Sequence, residues 1–377
     1  MGDQTDGVAA RRLAIEVLER VEKDGAYANL LLPKLLEESD LDSRDRGFVT
    51  ELSYGSTRMK RALDFAADRF IDRDEVDSRV RAAIRVGVYQ LLFMRVPAHA
   101  AVDATVAATP KRGRGFVNAV LRKVSSGGDP QWPTDGHRLS YPNWIVDRLQ
   151  ADLGDRALAV LEAMNQPAVT HTRDDGYRQD LSSQAVAALV EPKGLILDLC
   201  AAPGGKATYI AGNSTDGHVV ASDLHSHRAG LVSKAAEDTG TRLSSVVADA
   251  THAPYRERCA DAVLIDAPCS GLGSLRRRPD ARWRITPADV DNLAGLQFEL
   301  VEAASRLVKP GGQIVFSVCT LTAAESTAVD ARIATELPQL EPQPLASPWE
   351  AYGRGGRLLP DSFEGDGMAA FVYRVAT

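Results

Sequence analysis

Beyond Gln166, short apolar runs alternate with longer segments of helical periodicity, and this alternation constrains the fold more than any other feature of the chain. Strand and helix in alternation are typical of a parallel sheet with helices packed on both faces. In such a sheet, ligands bind beyond the carboxyl ends of the strands, near the point where the strand order reverses. We therefore predict an α/β unit with its binding site at that edge. The apolar runs are residues 195–199, 219–222, 245–248, 262–265 and 313–317.

The chain before this point has a different pattern. From residue 9 to about residue 126, apolar side chains recur at helical spacing and no strand alternation is visible, which predicts an all-α bundle. Residues 125–135 are rich in Gly, Pro and Ser, as is typical of a linker. We expect a helical domain over residues 1–128, a connecting segment with short helices over 129–178, and the α/β domain over 179–377.

Composition narrows the class of protein. Of 377 residues, 44% are hydrophobic and 25% are charged, as in ordinary globular proteins, and no apolar run approaches the length of a membrane helix. The acidic N-terminus lacks the pattern of a secretory signal, so we expect a cytoplasmic monomer with no membrane partner. The four cysteines form no Cys-x-x-Cys, and no His lies at zinc-ligand spacing from a pair, so no metal site is expected.

Charge is distributed unevenly along the helical half. The net charge of −7 argues against general affinity for nucleic acid, yet residues 78–128 carry nine basic side chains against one acidic one, Asp103. Two interpretations remain open: a solvated face, or a surface that contacts phosphates with salt-dependent affinity. The nine are Arg79, Arg81, Arg85, Arg95, Lys111, Arg112, Arg114, Arg122 and Lys123.

The predicted strands end in residues suited to a nucleoside. The first runs into Asp198-Leu-Cys-Ala-Ala-Pro-Gly-Gly-Lys206, where Gly204 and Gly205 would let backbone approach a ligand. Asp223 ends the second strand, where a carboxylate can accept both hydroxyls of a ribose, and Asp249 and Asp266 end the next two. The Gly-x-x-x-x-Gly-Lys-Ser/Thr pattern of a P-loop and the Gly-x-Gly-x-x-Gly pattern of a dinucleotide fold are both absent. S-adenosylmethionine, one nucleoside without phosphates, fits best.

Two thiols follow the last two strands. Asp266-Ala-Pro-Cys269 places a carboxylate and a thiol on one turn, and Cys319 ends the neighbouring strand, so both thiols could face one base. Carbon 5 of cytosine is a poor nucleophile, but thiolate addition at carbon 6 makes it an enamine carbon that can attack a methyl sulfonium. The opposing interpretation is two buried structural cysteines. A reactive site should be electropositive; Lys206 and Arg276 to Arg278 are candidates for that charge.

These motifs resemble the Sun/Fmu family of bacterial RNA cytosine-5 methyltransferases. The N-terminal half, through Phe116-Val-Asn-Ala-Val-Leu-Arg122, resembles the NusB-like RNA-binding domain of the 16S ribosomal RNA members. The resemblance implies a NusB-like bundle followed by a Rossmann-like methyltransferase domain, with RNA, most simply 16S ribosomal RNA, as substrate. The motifs that carry it are Asp198–Lys206, Asp266-Ala-Pro-Cys-Ser-Gly271, Arg277-Arg-Pro-Asp-Ala-Arg-Trp283 and Ser317-Val-Cys-Thr320.

The resemblance also implies roles for residues. Cys319 would be the nucleophile at carbon 6, Cys269 would assist product release, and Asp266 would contact the base. Which cysteine attacks rests on the resemblance alone. The residues implied to hold S-adenosylmethionine are Cys200, Ala201, Ala202, Pro203, Gly204, Gly205, Lys206, Asp223, Arg228, Asp249 and Asp266.

The chain departs from the family pattern in two places. Val318 stands where Thr is common, and the segment before Gln179 lacks the small α/β RNA-contacting subdomain that members usually carry there, leaving only a helical stretch and the polar loop 171–177. Transfer RNA therefore stays open as the substrate. A non-catalytic NusB-like RNA-binding factor is the alternative from another class. Trp283 could stack on a base or belong to a core.

Overall fold

The computed structural model describes residues 2–377, with side chains from Gly7 onward, and the chain divides into two compact units. The first comprises the chain up to Asp147 together with Arg277–Arg284, and the second comprises Arg148–Arg276 and Ile285–Thr377. No helix in the described residues is long and apolar enough to cross a membrane.

The first unit is helical, as the sequence predicts. Asp42 and Asp77 accept hydrogen bonds from the backbone N–H groups of the helices that follow them, which fixes where α3 and α5 begin. Leu52, Leu63 and Ile84 are fully buried in the core between these helices. The helices are α1 (Gly2–Lys23), α2 (Ala28–Glu37), α3 (Ser43–Arg58), α4 (Lys60–Asp68), α5 (Ser78–Leu92), α6 (Ala98–Ala108), α7 (Arg114–Ser126), α8 (Asp135–Arg138) and α9 (Asn143–Leu153), the last of which continues into the second unit.

The second unit alternates strands and helices before ending in a run of strands. Its helices are α10 (Ala157–Ala163), α11 (Leu181–Ala187), α12 (Gly205–Gly212), α13 (Ser226–Thr239), α14 (Pro287–Leu307) and α15 (Thr327–Glu336). Its strands are β1 (Leu195–Asp198), β2 (His218–Asp223), β3 (Ser244–Val247), β4 (Ala260–Asp266), β5 (Val308–Val318), β6 (Leu340–Gln343), β7 (Glu350–Tyr352), β8 (Gly355–Leu358) and β9 (Met368–Val375).

The five predicted strands form one parallel sheet in the order β3-β2-β1-β4-β5, which confirms the predicted α/β architecture. The chain runs outward from β1 to β2 and returns on the other side as β4, so the order reverses between β1 and β4. The sequence did not predict β9, which pairs antiparallel with β5 and joins β6 and β8 to the sheet.

Alternate residues of each strand are buried in separate cores. Leu197, Val263 and Phe316 face a core completed by α14 and α15. Their neighbours Ile196 and Leu264 face a second core that includes residues of α11 and α12. This alternation explains why the strands read as continuous apolar runs, because a sheet covered on both faces needs apolar residues at every position.

Arg277–Arg284 packs within the first unit. Arg282 is fully buried, lies 3.9 Å from the ring centre of Tyr141 and donates to the carbonyl of Ser140 at 3.2 Å. Burial lowers the pKa of Arg282 to about 10. The indole N–H of Trp283 donates to the carbonyl of Thr57 at 2.8 Å, so this side chain belongs to the packing of the helical unit. The structure thus favours the core interpretation of Trp283.

Candidate active site

The loop after β1 begins at the reversal of strand order and turns sharply into α12. The backbone N–H of Ala201 donates to Ser222 at the end of β2, and Gly204 donates back to Ala201. Gly204 has φ +108°, and a Cβ there would lie 3.0 Å from atoms of Val232 and Ala235. Only glycine fits both constraints, so the loop can lie close against α13.

Asp223, at the end of β2, is tied to this loop. One carboxylate oxygen accepts from the backbone N–H of Ala202 at 3.3 Å and from Arg228 Nε at 3.1 Å. The same guanidinium donates to the carbonyl of Ala202 at 3.4 Å. Arg228, which the sequence placed in the cofactor site only by resemblance, therefore joins Asp223 to the glycine-rich loop.

Asp249 lies at the same edge but makes local contacts. Its carboxylate accepts from the side chain and backbone N–H of Thr251, which caps a short 3-10 turn and lowers the pKa of the acid. The connection to the rest of the site is through backbone, because Ala248 N donates to the carbonyl of Asp223 at 3.1 Å. The side chain is exposed. Its role toward a cofactor stays a prediction.

Asp266 and Lys206 form the central ion pair of the site, with Nζ and Oδ2 2.6 Å apart. The other oxygen of Asp266 accepts from Ser317 Oγ at 2.9 Å, across the β4–β5 pair. Burial works against the charged form of Lys206, but the charge of Asp266 and its hydrogen bond more than offset it and raise the pKa of the lysine. Both partners are held in place before any ligand binds.

Asp198, the last residue of β1, is a site residue that the sequence interpretation passed over. It is fully buried, and neither carboxylate oxygen has a hydrogen-bond partner among the described residues. Burial raises its pKa to about 7, the negative charge of Asp266 adds to the rise, and Lys206 and the backbone of Cys200 offset part of it. A buried carboxyl of this kind stays protonated up to near-neutral pH. Its position as the first residue of the glycine-rich motif was the feature of the sequence that could have identified it.

The two predicted thiols meet at the ends of β4 and β5. The Sγ atoms of Cys269 and Cys319 are 3.2 Å apart, because Asp266 pairs with Ser317 in the sheet and each thiol follows its strand by a short step. The hydrogen bond to Cys319, together with burial, raises the pKa of the Cys269 thiol well above its usual range. The raised pKa favours the protonated form of Cys269, while either sulfur can be the donor in the contact between them. The charge of Lys206 also interacts with Cys319.

The arginines proposed as a source of positive charge are placed differently from expectation. Arg276 lies 3.8 Å from Asp366, a buried acid, and Arg277 and Arg278 belong to the first unit. The prediction that Arg276 to Arg278 supply the positive charge at the thiols is therefore not supported by these contacts. Lys206 is the predicted cation that the structure does place there.

The polar loop 171–177 contacts the cofactor loop through Arg173. This buried guanidinium donates to the carbonyl of Gly205 at 2.7 Å and to Thr208 Oγ1 at 3.1 Å, both in the first turn of α12. It also lies over the ring of Tyr177 at 5.0 Å. The sequence predicted that this loop is what remains of a reduced subdomain; in the structure it supports the start of α12. No spacing rule identifies a single arginine of this kind.

The basic segment of the first unit is largely engaged in internal contacts. Arg79, Arg81 and Arg85 pair with acids of neighbouring helices, and Arg85 is buried between Glu22 and Asp64. Arg114 donates to the carbonyls of Ala107 and Thr109 at the end of α6, so its role is structural. Arg122 donates to Asn118. Arg95, Lys111, Arg112 and Lys123 are exposed.

Comparison with known proteins agrees with this geometry. Residues 186–373 match the family model described as 16S rRNA methyltransferase RsmB/F, and residues 8–126 match the NusB family. The chain is 34% identical to ribosomal RNA small subunit methyltransferase B of Thermus thermophilus over 96% of both chains. It is 30% identical to the same enzyme of Salmonella paratyphi B, over 95% of this chain and 96% of that one.

The chain belongs to the RsmB/F family of rRNA methyltransferases. It is an S-adenosylmethionine-dependent RNA methyltransferase with a NusB-like helical domain before its catalytic domain. The alternative of a non-catalytic RNA-binding factor is therefore excluded. In fold, the chain superposes on the crystal structure of PH0851 with a TM-score of 0.80 over 98% of both chains, at 21% identity.

The site fits S-adenosylmethionine chemically. Gly204 lets the loop after β1 lie against α13, and Asp223 offers a carboxylate at the position where a ribose is held in such sheets. Asp198 adds a buried carboxyl with no hydrogen-bond partner in the described chain. A nucleoside with a cationic sulfonium and no phosphate suits an edge lined by acids better than a nucleotide would.

Proposed function

We propose that this RsmB/F-family enzyme methylates carbon 5 of a cytosine in 16S ribosomal RNA through a covalent adduct between Cys319 and carbon 6 of the base. The observation that carries the proposal is the pair of thiols 3.2 Å apart beside the Lys206–Asp266 ion pair. A single buried cysteine would need no such neighbours. The ribosomal RNA substrate rests on the relatives named above, and a cytoplasmic monomer remains part of the proposal.

The steps balance with the residues at hand. The thiolate of Cys319 forms a bond to carbon 6, and the electrons of the 5,6 double bond make carbon 5 nucleophilic. S-adenosylmethionine would supply the electrophilic methyl group to carbon 5, with its sulfonium leaving as the neutral thioether of S-adenosylhomocysteine. The proton on carbon 5 then leaves to a base, the bond between sulfur and carbon 6 breaks, and the double bond forms again. Cys269 lies beside the departing sulfur, where we assign it to product release.

The hydrogen bond between the thiols supports the choice of nucleophile. Cys269 retains its proton because its pKa is raised, so it donates to Cys319 and stabilises negative charge there. Lys206 interacts with the same sulfur, and a nearby cation favours a thiolate. The sequence spacing alone gave no reason to prefer either cysteine.

Asp266 is assigned to contact the base. Lys206 and Ser317 hold its two oxygens, so the carboxyl is fixed in orientation at the edge where the thiols lie. A carboxyl at ring nitrogen 3 stabilises the charge that develops when carbon 6 is attacked. The target cytosine must be single-stranded or turned out of its stack, because carbon 6 is inaccessible within a paired helix.

The cofactor residues are assigned by place in the sheet. Residues 200–206 lie at the switch in strand order and would lie along S-adenosylmethionine, and Asp223 would accept from its ribose hydroxyls. Arg228 acts through Asp223 and Ala202, so we assign it to positioning. Asp249 would accept from the adenine amino group through its exposed carboxylate, one oxygen of which already accepts from Thr251.

Methyl transfer from labelled S-adenosylmethionine tests the proposal, with 16S rRNA fragments and transfer RNA as acceptors. We expect Cys319→Ala to bind the cofactor normally and transfer no label, and Cys269→Ala to accumulate an RNA–protein adduct that survives denaturing gels. Cys259→Ala is the matched control, since Cys259 directly precedes β4 and so lies at the opposite end of that strand from Cys269. Turnover by Cys319→Ala would refute the nucleophile assignment, and label on transfer RNA alone would change the substrate.

A further inference from the structure

A buried carboxylate joins the two turns that carry the thiols. Glu325 lies between β5 and α15 and is fully buried. It accepts from the backbone N–H of Ser270 at 2.7 Å and from Ser270 Oγ at 2.6 Å. It also accepts from Thr320 Oγ1 at 3.1 Å. Ser270 directly follows Cys269 and Thr320 directly follows Cys319, so one side chain holds the neighbours of both thiols.

Two further contacts complete the link. Thr322 Oγ1 donates to Glu325 at 2.8 Å. Gln297, a fully buried residue of α14, donates from the same amide nitrogen to Glu325 at 3.3 Å and to the carbonyl of Pro268 at 2.9 Å. The segment from Pro268 to Ser270 is therefore held on both sides of Cys269.

The physical cost of this arrangement indicates a positional role. Burying a carboxylate is unfavourable unless it is well hydrogen-bonded, and no cation is among the contacts of Glu325 in the described part of the chain. A well-packed apolar side chain would avoid this desolvation, as replacements of buried charges often show. What an apolar side chain could not do is tie the ends of two strands to each other through directed bonds.

We propose that Glu325 is a positioning residue that sets the separation of Cys269 and Cys319. It acts through Ser270 and Thr320, the residues that follow the two thiols, and its charge also helps to raise the pKa of Cys269. Its importance for catalysis rests on the proposed function, because adduct formation and release need both sulfurs at one base. Its effect on thiol separation is a property of the folded protein without RNA.

Glu325→Gln tests this inference, since the carboxamide keeps the size of the side chain but replaces one acceptor oxygen with a donor. Asp330→Asn is the matched control: Asp330 is a buried acid on α15 whose side chain accepts, within the described residues, from Arg354 and from Tyr373 rather than from the thiol turns. Three quantities are measured in each full-length variant: the rate at which diamide oxidises Cys269 and Cys319 to a disulfide, the affinity for S-adenosylmethionine, and kcat for methyl transfer.

For Glu325→Gln we expect the Cys269–Cys319 disulfide, identified by peptide mass spectrometry, to form at least about tenfold more slowly. Methyl transfer should fall by roughly 10- to 100-fold in kcat, the range expected when reacting groups are misplaced by about 1 Å. Cofactor affinity should stay within about twofold. Asp330→Asn should leave the oxidation rate and kcat close to wild type, even if it lowers the melting temperature.

Unchanged oxidation and unchanged kcat in a folded Glu325→Gln would overturn the inference. If that variant does not fold, Ser270→Ala takes its place, because it removes the hydroxyl that contacts both Glu325 and Thr320. Oxidation that is no slower in Ser270→Ala then refutes the proposal. Failure of the proposed function would give a different result. Wild-type protein would make no 5-methylcytosine, while Glu325→Gln would still slow the oxidation of the two thiols.

Discussion

Replacing Asp198 with Asn should change how the stability of the catalytic unit depends on pH. The Asp198 carboxyl is buried and has a pKa of about 7 in the folded protein, against an ordinary value of 3.8. Because the folded pKa is the higher one, the folded state binds the proton more tightly than the unfolded state. The stabilisation is therefore fully present below the unfolded pKa and is lost as pH rises toward the folded pKa.

The magnitude follows from the two pKa values. Each unit of difference corresponds to about 1.4 kcal/mol, so the whole loss is about 4 kcal/mol. Between pH 5 and pH 8 the linkage relation gives a loss of about 2.5 kcal/mol, because part of the effect already occurs below pH 5. Asn does not titrate, so the variant should gain about this amount relative to wild type on going from pH 5 to pH 8. Any pH-independent effect of the amide cancels in this comparison.

Urea unfolding without cofactor is the assay. Of four tryptophans, Trp349 is the one in the second unit and it is buried, so its fluorescence reports on that unit once the other three are changed to Phe in both proteins. Asp261→Asn is the control. Asp261 accepts from Lys309, which lowers its pKa, so both of its pKa values lie below pH 5 and its stability difference should stay constant across the range. If the difference in free energy of unfolding between Asp198→Asn and wild type is also constant from pH 5 to pH 8, Asp198 is ionised in the folded protein and the reasoning is refuted.

Two other predictions follow from single residues. Gly204→Ala should weaken S-adenosylmethionine binding and lower the free energy of unfolding by about 1–3 kcal/mol, since it forces a side chain into a left-handed conformation against α13. Gly212→Ala is the control and should have neither effect, because a Cβ there meets nothing within 4 Å. Arg112→Glu should weaken RNA binding and reduce its salt dependence. The slope of log binding constant against log salt concentration should fall by about one unit for each phosphate that the side chain no longer neutralises. Lys234→Glu, at an exposed position of α13, is the control and should change neither quantity. Calorimetry and filter binding at several salt concentrations measure these effects, and unchanged binding by Arg112→Glu would favour a merely solvated face.

Topology made much of the site predictable. Strand ends of a parallel sheet lie along one edge, so Asp223 and Asp266 could be placed there from the alternation of apolar runs alone. The same rule brought Cys269 and Cys319 together although 50 residues separate them in sequence. Residues that follow strands are therefore the ones for which sequence gives spatial information.

The hydrogen-bond partners of individual arginine side chains were not predictable in this way. Arg114 and Arg112 look alike in sequence, yet one binds carbonyls at the end of α6 and the other is exposed. The difference depends on where the end of a neighbouring helix lies, which no periodicity encodes. Arg173 is a similar case, since its partners are in α12, more than 30 residues further along the chain.

The same distinction explains the chemistry of the two thiols. Both follow apolar strands, both are partly exposed, and the sequence spacing treats them alike. In the proposed mechanism their difference comes from polar contacts: the raised pKa of Cys269 favours its protonated form, and the charge of Lys206 interacts with Cys319. Asp198 is protonated at pH values below about 7, where it adds little negative charge beside Lys206 and Asp266. Strand order therefore brings the two thiols together, and in the proposed mechanism the hydrogen bonds and charges around them decide which thiol attacks.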